Sequence, residues 1–151
     1  MFTSQACRYI PLLESARAFR LLGALADPTR RALARAECRI RNQCFTHFCA
    51  VGECAPITVA YMRYLNALRT EQANCLLAMF LKRLVECRNG SGRWEGFPFY
   101  YTLLMLNELD PVLAREERRY AAAACERLLE RAPEGNVIAW RRRTVLRQAL
   151  N

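Results

Sequence analysis

The chain has 151 residues, of which 53% are hydrophobic and 25% charged, and its formal net charge is +9. This composition excludes a disordered chain, and the length suits one domain, residues 1–151, with a core of its own. No apolar run is long enough to span a membrane and no secretory signal is visible, so we expect a cytoplasmic protein that does not enter a membrane.

Apolar residues at helical spacing organise the start of the chain. They predict a first helix over 11–25, beginning at a proline. Asp27 and Pro28 predict the start of a second helix, because aspartate accepts hydrogen bonds from free N–H groups and proline suits the first turn. A break in this second helix is expected near Asn42.

Five further helices complete the prediction. Pro56 opens the third, Thr70 caps the fourth, and a fifth follows a glycine-rich stretch. Asp110 caps the sixth, and the seventh begins near Val137. No alternating strand pattern occurs, apart from a short candidate hairpin at 89–92. We therefore predict an all-α fold of about seven helices in antiparallel hairpins around one core, as a short helical-repeat or half-toroid array.

The glycine-rich stretch, residues 90–104, carries a dense group of aromatic side chains. Glycines permit a sharp reversal there, so the simplest interpretation is a packed loop that closes over the start of an apolar helix. The alternative is a pocket for an apolar small ligand, since such pockets are apolar and aromatic. Its candidate residues are Trp94, Phe97, Phe99, Tyr100 and Tyr101.

Four cysteines and the only histidine lie within seventeen positions, from Cys38 to Cys54. Thiolate and imidazole are zinc ligands, and the candidate set is Cys44, His47, Cys49 and Cys54. The alternative is a group of buried cysteines with a hydrogen-bonded histidine. Cys44 and His47 could also form a nucleophile pair, but no orienting carboxylate is evident. Because no signal peptide is visible, we expect all eight cysteines to be free thiols.

The basic charge is almost entirely arginine. A candidate site for phosphate, nucleic acid or an acidic partner is formed by Arg141, Arg142, Arg143 and Arg147. The alternative is a solvated face, because adjacent residues cannot all share one side of a helix. The acidic pair Glu116 and Glu117, which precedes two arginines, is likewise predicted to be solvated.

Two local resemblances accompany these patterns. Residues 89–94 followed by 101–106 resemble a repeat of the terpene-cyclase and prenyltransferase type of α/α toroid, over 70–132. This resemblance implies alternating inner and outer helices. The resemblance does not imply the enzymatic activity of these families, because no run of neighbouring aspartates is present and the chain is too short for a full ring.

The second resemblance covers residues 24–33, which are similar to the early helix of arsenic-repressor-type winged-helix regulators. It implies a wing over 84–101 and a recognition helix over 72–82. The latter stretch is apolar nearly all round, which suits a core better than a DNA groove.

The leading functional interpretation is a non-enzymatic cytoplasmic binding or interaction module of helical-hairpin type. Its partner would be a protein or an apolar small ligand, with weak non-specific binding of nucleic acid in addition. One alternative is a DNA-binding transcriptional regulator of winged-helix type. The other is a metal-binding protein or a Cys-His enzyme, with zinc as the cofactor to consider.

Overall fold

A computed structural model of the chain describes residues 4–23, 26–131 and 135–151. Within these ranges the backbone forms seven α-helices and a short 3₁₀ helix, so the all-α prediction is confirmed. The α-helices are α1 (Gln5–Leu22), α2 (Asp27–Ile40), α3 (Cys54–Leu68), α4 (Glu71–Glu86), α5 (Phe99–Glu108), α6 (Pro111–Glu130) and α7 (Val137–Leu150), and the 3₁₀ helix is Cys44–His47. None of the described helices is both long and apolar enough to cross a membrane.

The chain divides into two compact units, Met1–Leu77 and Ala78–Asn151, and the division falls within α4. The first unit is built on the packing of α1 against α3. Nine of the fifteen residues of α3 are buried and none is exposed, as expected of a largely apolar helix. Its buried Arg63 is paired with Glu14 of α1, which compensates the charge.

The start of α1 differs from the sequence-based prediction. Pro11 does not begin the helix but lies inside it. The helix begins instead at Gln5, where the hydroxyl of Ser4 accepts from the N–H of Cys7 at 3.5 Å. The Gln5 N–H donates to a carboxylate oxygen of Glu53 at 2.8 Å. The packing of α1 and the hydrogen bonds at its N-terminus compensate for the one backbone hydrogen bond that is lost at Pro11.

The second helix begins and breaks where the sequence indicates, but its cap is different. The residue before α2 is Ala26, and Asp27 forms no capping hydrogen bond. The Asp27 carboxylate pairs instead with Arg30 at 3.3 Å. The predicted break is confirmed, since α2 ends at Ile40. The predicted end of the first helix, Leu25, lies outside the described residues, as do residues 24 and 132 of the two resemblances.

Two predicted caps are confirmed. The hydroxyl of Thr70 accepts from the N–H of Ala73 at 3.2 Å at the start of α4. The carboxylate of Asp110 accepts from the N–H groups of Val112 and Leu113, at 2.8 and 3.4 Å, at the start of α6. Each cap satisfies donors that have no partner within the helix.

The second unit is built from α5, α6 and α7, which contact one another in pairs. The buried residues of α5 are Thr102, Leu103, Met105 and Leu106. Before α5 the chain makes a tight reversal, marked by an isolated bridge between Arg88 and Trp94. The aromatic residues of this loop therefore belong to the second unit, and the cysteine-rich segment belongs to the first.

Candidate functional site

Three of the predicted metal ligands come together in the first unit. Cys44 begins the 3₁₀ helix, Cys49 follows that helix, and Cys54 begins α3. Their Sγ atoms all lie within 4.8 Å of one another, and those of Cys44 and Cys54 are 2.7 Å apart. We refer to Cys44, Cys49 and Cys54 as the thiol cluster. Thiolate sulfur is a preferred ligand of zinc and of other soft metal ions.

The spacing of the cluster suits a metal ion. A tetrahedral zinc site with Zn–S bonds of about 2.3 Å holds its sulfurs roughly 3.8 Å apart. In the thiol cluster the Sγ atoms of Cys44 and Cys54 are 2.7 Å apart, closer than this value, and no Sγ separation exceeds 4.8 Å. Small rotations about the cysteine side chains would therefore bring the three sulfurs into place around one ion.

The backbone that carries the cluster is fixed by the core of the unit. Phe45, next to Cys44, is buried against the rings of Tyr9 and Tyr61, with centroids 5.1 and 5.9 Å away. The buried hydroxyl of Thr58 on α3 donates to the carbonyl of Cys49 at 2.8 Å. Contacts of this kind hold a ligand set near its binding geometry before the ion arrives.

A turn with left-handed backbone brings the ends of the cluster together. Phe48 has a φ of 60° and Gly52 a φ of 52°. For a phenylalanine this conformation costs about 1–3 kcal/mol, so it persists only where surrounding contacts enforce it. The Phe48 N–H donates to the carbonyl of Phe45 at 3.3 Å, and the Cys54 N–H donates to that of Val51 at 3.1 Å.

His47 does not join the cluster. Its imidazole is exposed, and Nδ1 lies 3.3 Å from the hydroxyl of Thr46. The ligand atoms within 4.8 Å of one another are the three cysteine sulfurs. The structure therefore brings together three of the four candidate ligands, and it offers a set composed of sulfur alone.

The three thiols also influence one another electrostatically. The hydrogen bond with Cys44, followed by burial and the charges of Cys44 and Cys49, raises the pKa of Cys54 to about 12. A cation placed among the sulfurs reverses this effect, because it stabilises thiolates and releases their protons. Without a bound cation Cys54 is therefore held as a thiol, and a metal ion would favour its thiolate form.

The aromatic residues of the glycine-rich loop are engaged with one another. Trp94 is buried and stacks on Phe99, with centroids 6.1 Å apart. Phe97 is buried edge-on to Phe80 at 5.5 Å. Phe99 in turn contacts Tyr100 edge-on, also at 5.5 Å. This packing favours a structural role for the loop.

The remaining two residues of the predicted ligand pocket lie on α5 and are half-buried. Of these two, Tyr100 lines a groove of about 390 Å³. The groove is formed by the second unit, and its other walls come from the end of α6 and from one side of α7. Tyr100 thus faces open volume.

Glu117 of α6 is the buried partner of the loop, and the prediction that it is solvated is wrong. Glu117 was expected to be solvated, but only 2% of it is exposed. Its carboxylate accepts from the indole N–H of Trp94 at 2.7 Å and from Arg88 at 2.5 Å. The carboxylate can be buried because hydrogen bonds from these two donors compensate the free-energy cost of removing it from water. The neighbouring Glu116 is exposed, as predicted.

The candidate anion site on α7 spreads around the helix. Arg141, Arg142 and Arg147 are exposed and Arg143 is half-buried. Arg142 lies over the ring of Tyr100, with its guanidinium carbon 5.0 Å from the centroid. The four arginines therefore do not form one compact cluster, and Arg142 lies beside the groove that Tyr100 lines.

No family model matches this chain, and no curated protein or solved structure is significantly similar to it. The resemblances to toroid repeats and to winged-helix regulators therefore stay predictions. The chemistry of the described residues is what supports a function, and the thiol cluster is the most specific arrangement among them.

Proposed function

We propose that this protein is a non-enzymatic binding module that holds a soft metal ion, zinc in the first place, on Cys44, Cys49 and Cys54. The observation that carries the proposal is the approach of three sulfurs, within 4.8 Å of one another, on a backbone anchored in the core. Thiols that remain free for metal binding suit a reducing compartment such as the cytoplasm.

The number of ligands favours reversible binding. Structural zinc sites are closed by four protein ligands, whereas a site with three keeps one position for water or another molecule. The thiol cluster supplies three, and Cys44 is exposed to solvent. A metal ion bound here would remain accessible to exchange, which suits capture or sensing of the ion.

Catalysis by the bound ion is disfavoured by the surroundings. Metal-assisted hydrolysis also needs an acid or base within reach of the reacting atoms. The carboxylate nearest in sequence is Glu53, and it accepts from the backbone N–H of Gln5 at 2.8 Å. Hydrogen bonds from Ser4 and from the start of α1 lower the pKa of Glu53, so it is held as an ionised acceptor.

A competition experiment tests the proposal. Purified, fully reduced protein is titrated with zinc in the presence of a chromophoric zinc chelator. We expect one zinc ion per chain to be withheld from the chelator. Cys49→Ser should abolish this competition, because two thiolates and a hydroxyl bind zinc weakly.

Cys38→Ser is the matched control. Cys38 is an exposed cysteine on α2, in the same unit but outside the thiol cluster. This variant should retain the zinc affinity of the original protein. The proposal is wrong if the original protein does not compete with the chelator, or if both variants lose affinity equally. Circular dichroism of the metal-free variants establishes that the helices are retained.

A further inference from the structure

The groove that Tyr100 lines combines an apolar floor with a cationic rim. Its apolar surface comes from Leu128 of α6 and Ile138 of α7, above the fully buried Leu146. The groove has a volume of about 390 Å³, within the range of roughly 300–1,000 Å³ that is usual for sites of small ligands. Ile138 is 62% exposed, so the floor is accessible from solvent.

Two guanidinium groups stand at this groove. Arg131 follows the last residue of α6, and Arg142 lies on α7 beside the ring of Tyr100. Neither has a carboxylate partner among the described residues, and no described carboxylate lines the groove. The helix α7 adds to the positive field, because its sequence holds four arginines and no acidic residue.

We propose that this groove binds a small amphipathic anion, a carboxylate with an aliphatic tail. The carboxylate would lie between Arg131 and Arg142, since guanidinium groups bind carboxylates through paired hydrogen bonds. The tail would cover Leu128 and Ile138. The stacking of Arg142 on Tyr100 holds the guanidinium at the rim, which reduces the ordering that binding requires. The inference is independent of the metal site, which belongs to the other unit.

Calorimetric titration of the full chain with dodecanoate, below the concentration at which it forms micelles, tests the proposal. We expect saturable binding of one dodecanoate per chain. Dodecanol has the same tail without the charge and should bind about tenfold more weakly or worse, as expected on losing a charge-assisted hydrogen bond. Dodecylammonium, with the opposite charge, should not bind measurably.

Neighbouring residues of α7 provide matched variants. Arg142→Ala should weaken dodecanoate binding by about tenfold or more. Arg141→Ala removes the same charge from an exposed residue that does not line the groove, so its affinity should stay within about twofold of the original.

A second pair of variants tests the groove without removing an arginine. Ile138→Glu places a carboxylate in the groove and should abolish binding, whereas Val137→Glu, at a similarly exposed position outside it, should have little effect. The proposal is overturned if dodecanoate shows no saturable binding or if dodecanol binds equally well. It is also overturned if Arg141→Ala weakens binding as much as Arg142→Ala.

Discussion

The indole N–H of Trp94 donates a hydrogen bond of 2.7 Å to the carboxylate of Glu117, and both side chains are almost completely buried. Arg88 supplies the opposite charge, 2.5 Å from the second carboxylate oxygen. One helical turn further along α6, the hydroxyl of Tyr120 accepts from the N–H of Gly90 at 2.9 Å. The helix therefore holds the glycine-rich loop by side chains from one of its faces.

Removal of the Glu117 carboxylate should destabilise the protein strongly. In Glu117→Ala, a buried indole N–H and a partly buried guanidinium lose their acceptor. The expected loss is about 3–5 kcal/mol of unfolding free energy, as for breaking a buried ion pair. Urea denaturation measures it. Glu116→Ala is the control, because that side chain is exposed and its loss should cost less than about 0.5 kcal/mol. Equal losses in the two variants would contradict this role of Glu117.

Substitution by alanine should destabilise the protein to different extents at two glycines of the loop. Gly90 and Gly92 both have positive φ, 77° and 83°, so alanine at either position costs about 1–2 kcal/mol. A Cβ at Gly92 would also lie 2.8 Å from the Cβ of Ala124, whereas one at Gly90 meets nothing within 4 Å.

We therefore expect Gly92→Ala to lose about 1–3 kcal/mol more unfolding free energy than Gly90→Ala. Chemical denaturation of the two variants side by side isolates the clash, since the backbone cost is shared. Indistinguishable losses would show that the loop and α6 separate easily.

Local sequence signals predicted the helices well. The spacing of apolar residues gave the all-α class, and the caps Thr70 and Asp110 are recognisable within one turn of chain. The role of Glu117 is different, because its partners Arg88 and Trp94 are distant in sequence. Its immediate neighbours are charged, so local pattern alone indicates a solvated face.

The candidate site was predictable in composition and not in arrangement. A concentration of cysteines near His47 indicated a metal site. The choice of cysteine sulfurs that come together depends on the turn at Phe48. Its left-handed backbone is a conformation that phenylalanine rarely adopts. The direction of the His47 ring, toward Thr46, follows from the 3₁₀ helix and its contacts.

The cysteines provide a further test. All eight are free, so thiol titration of denatured, non-reduced protein should find about eight groups. In the native protein Cys125 should react last with an alkylating agent, because its side chain is fully buried, whereas the other seven cysteines are exposed or half-buried. Mass spectrometry of timed samples identifies the order. A count near six, or early modification of Cys125, would be inconsistent with this view.

The arginines of α7 should give weak binding of nucleic acid. Arg141, Arg142 and Arg147 are exposed on a helix without acidic residues. We expect duplex DNA to bind at low salt without sequence preference and to dissociate near physiological ionic strength. Fluorescence anisotropy across a salt series measures this, and replacement of the three arginines by alanine should reduce the salt dependence. Selection of one short palindrome from random sequences would instead support a sequence-specific regulator.

Cobalt substitution tests the metal site most directly. Co²⁺ bound by thiolates gives charge-transfer absorption that neither free cobalt nor metal-free protein shows, and its visible bands report the geometry. We predict that one Co²⁺ per chain binds to the reduced protein with this absorption, that zinc displaces it, and that Cys38→Ser leaves it unchanged. Absence of the absorption, or its persistence after Cys44, Cys49 and Cys54 are all replaced by serine, would contradict a metal site at the thiol cluster.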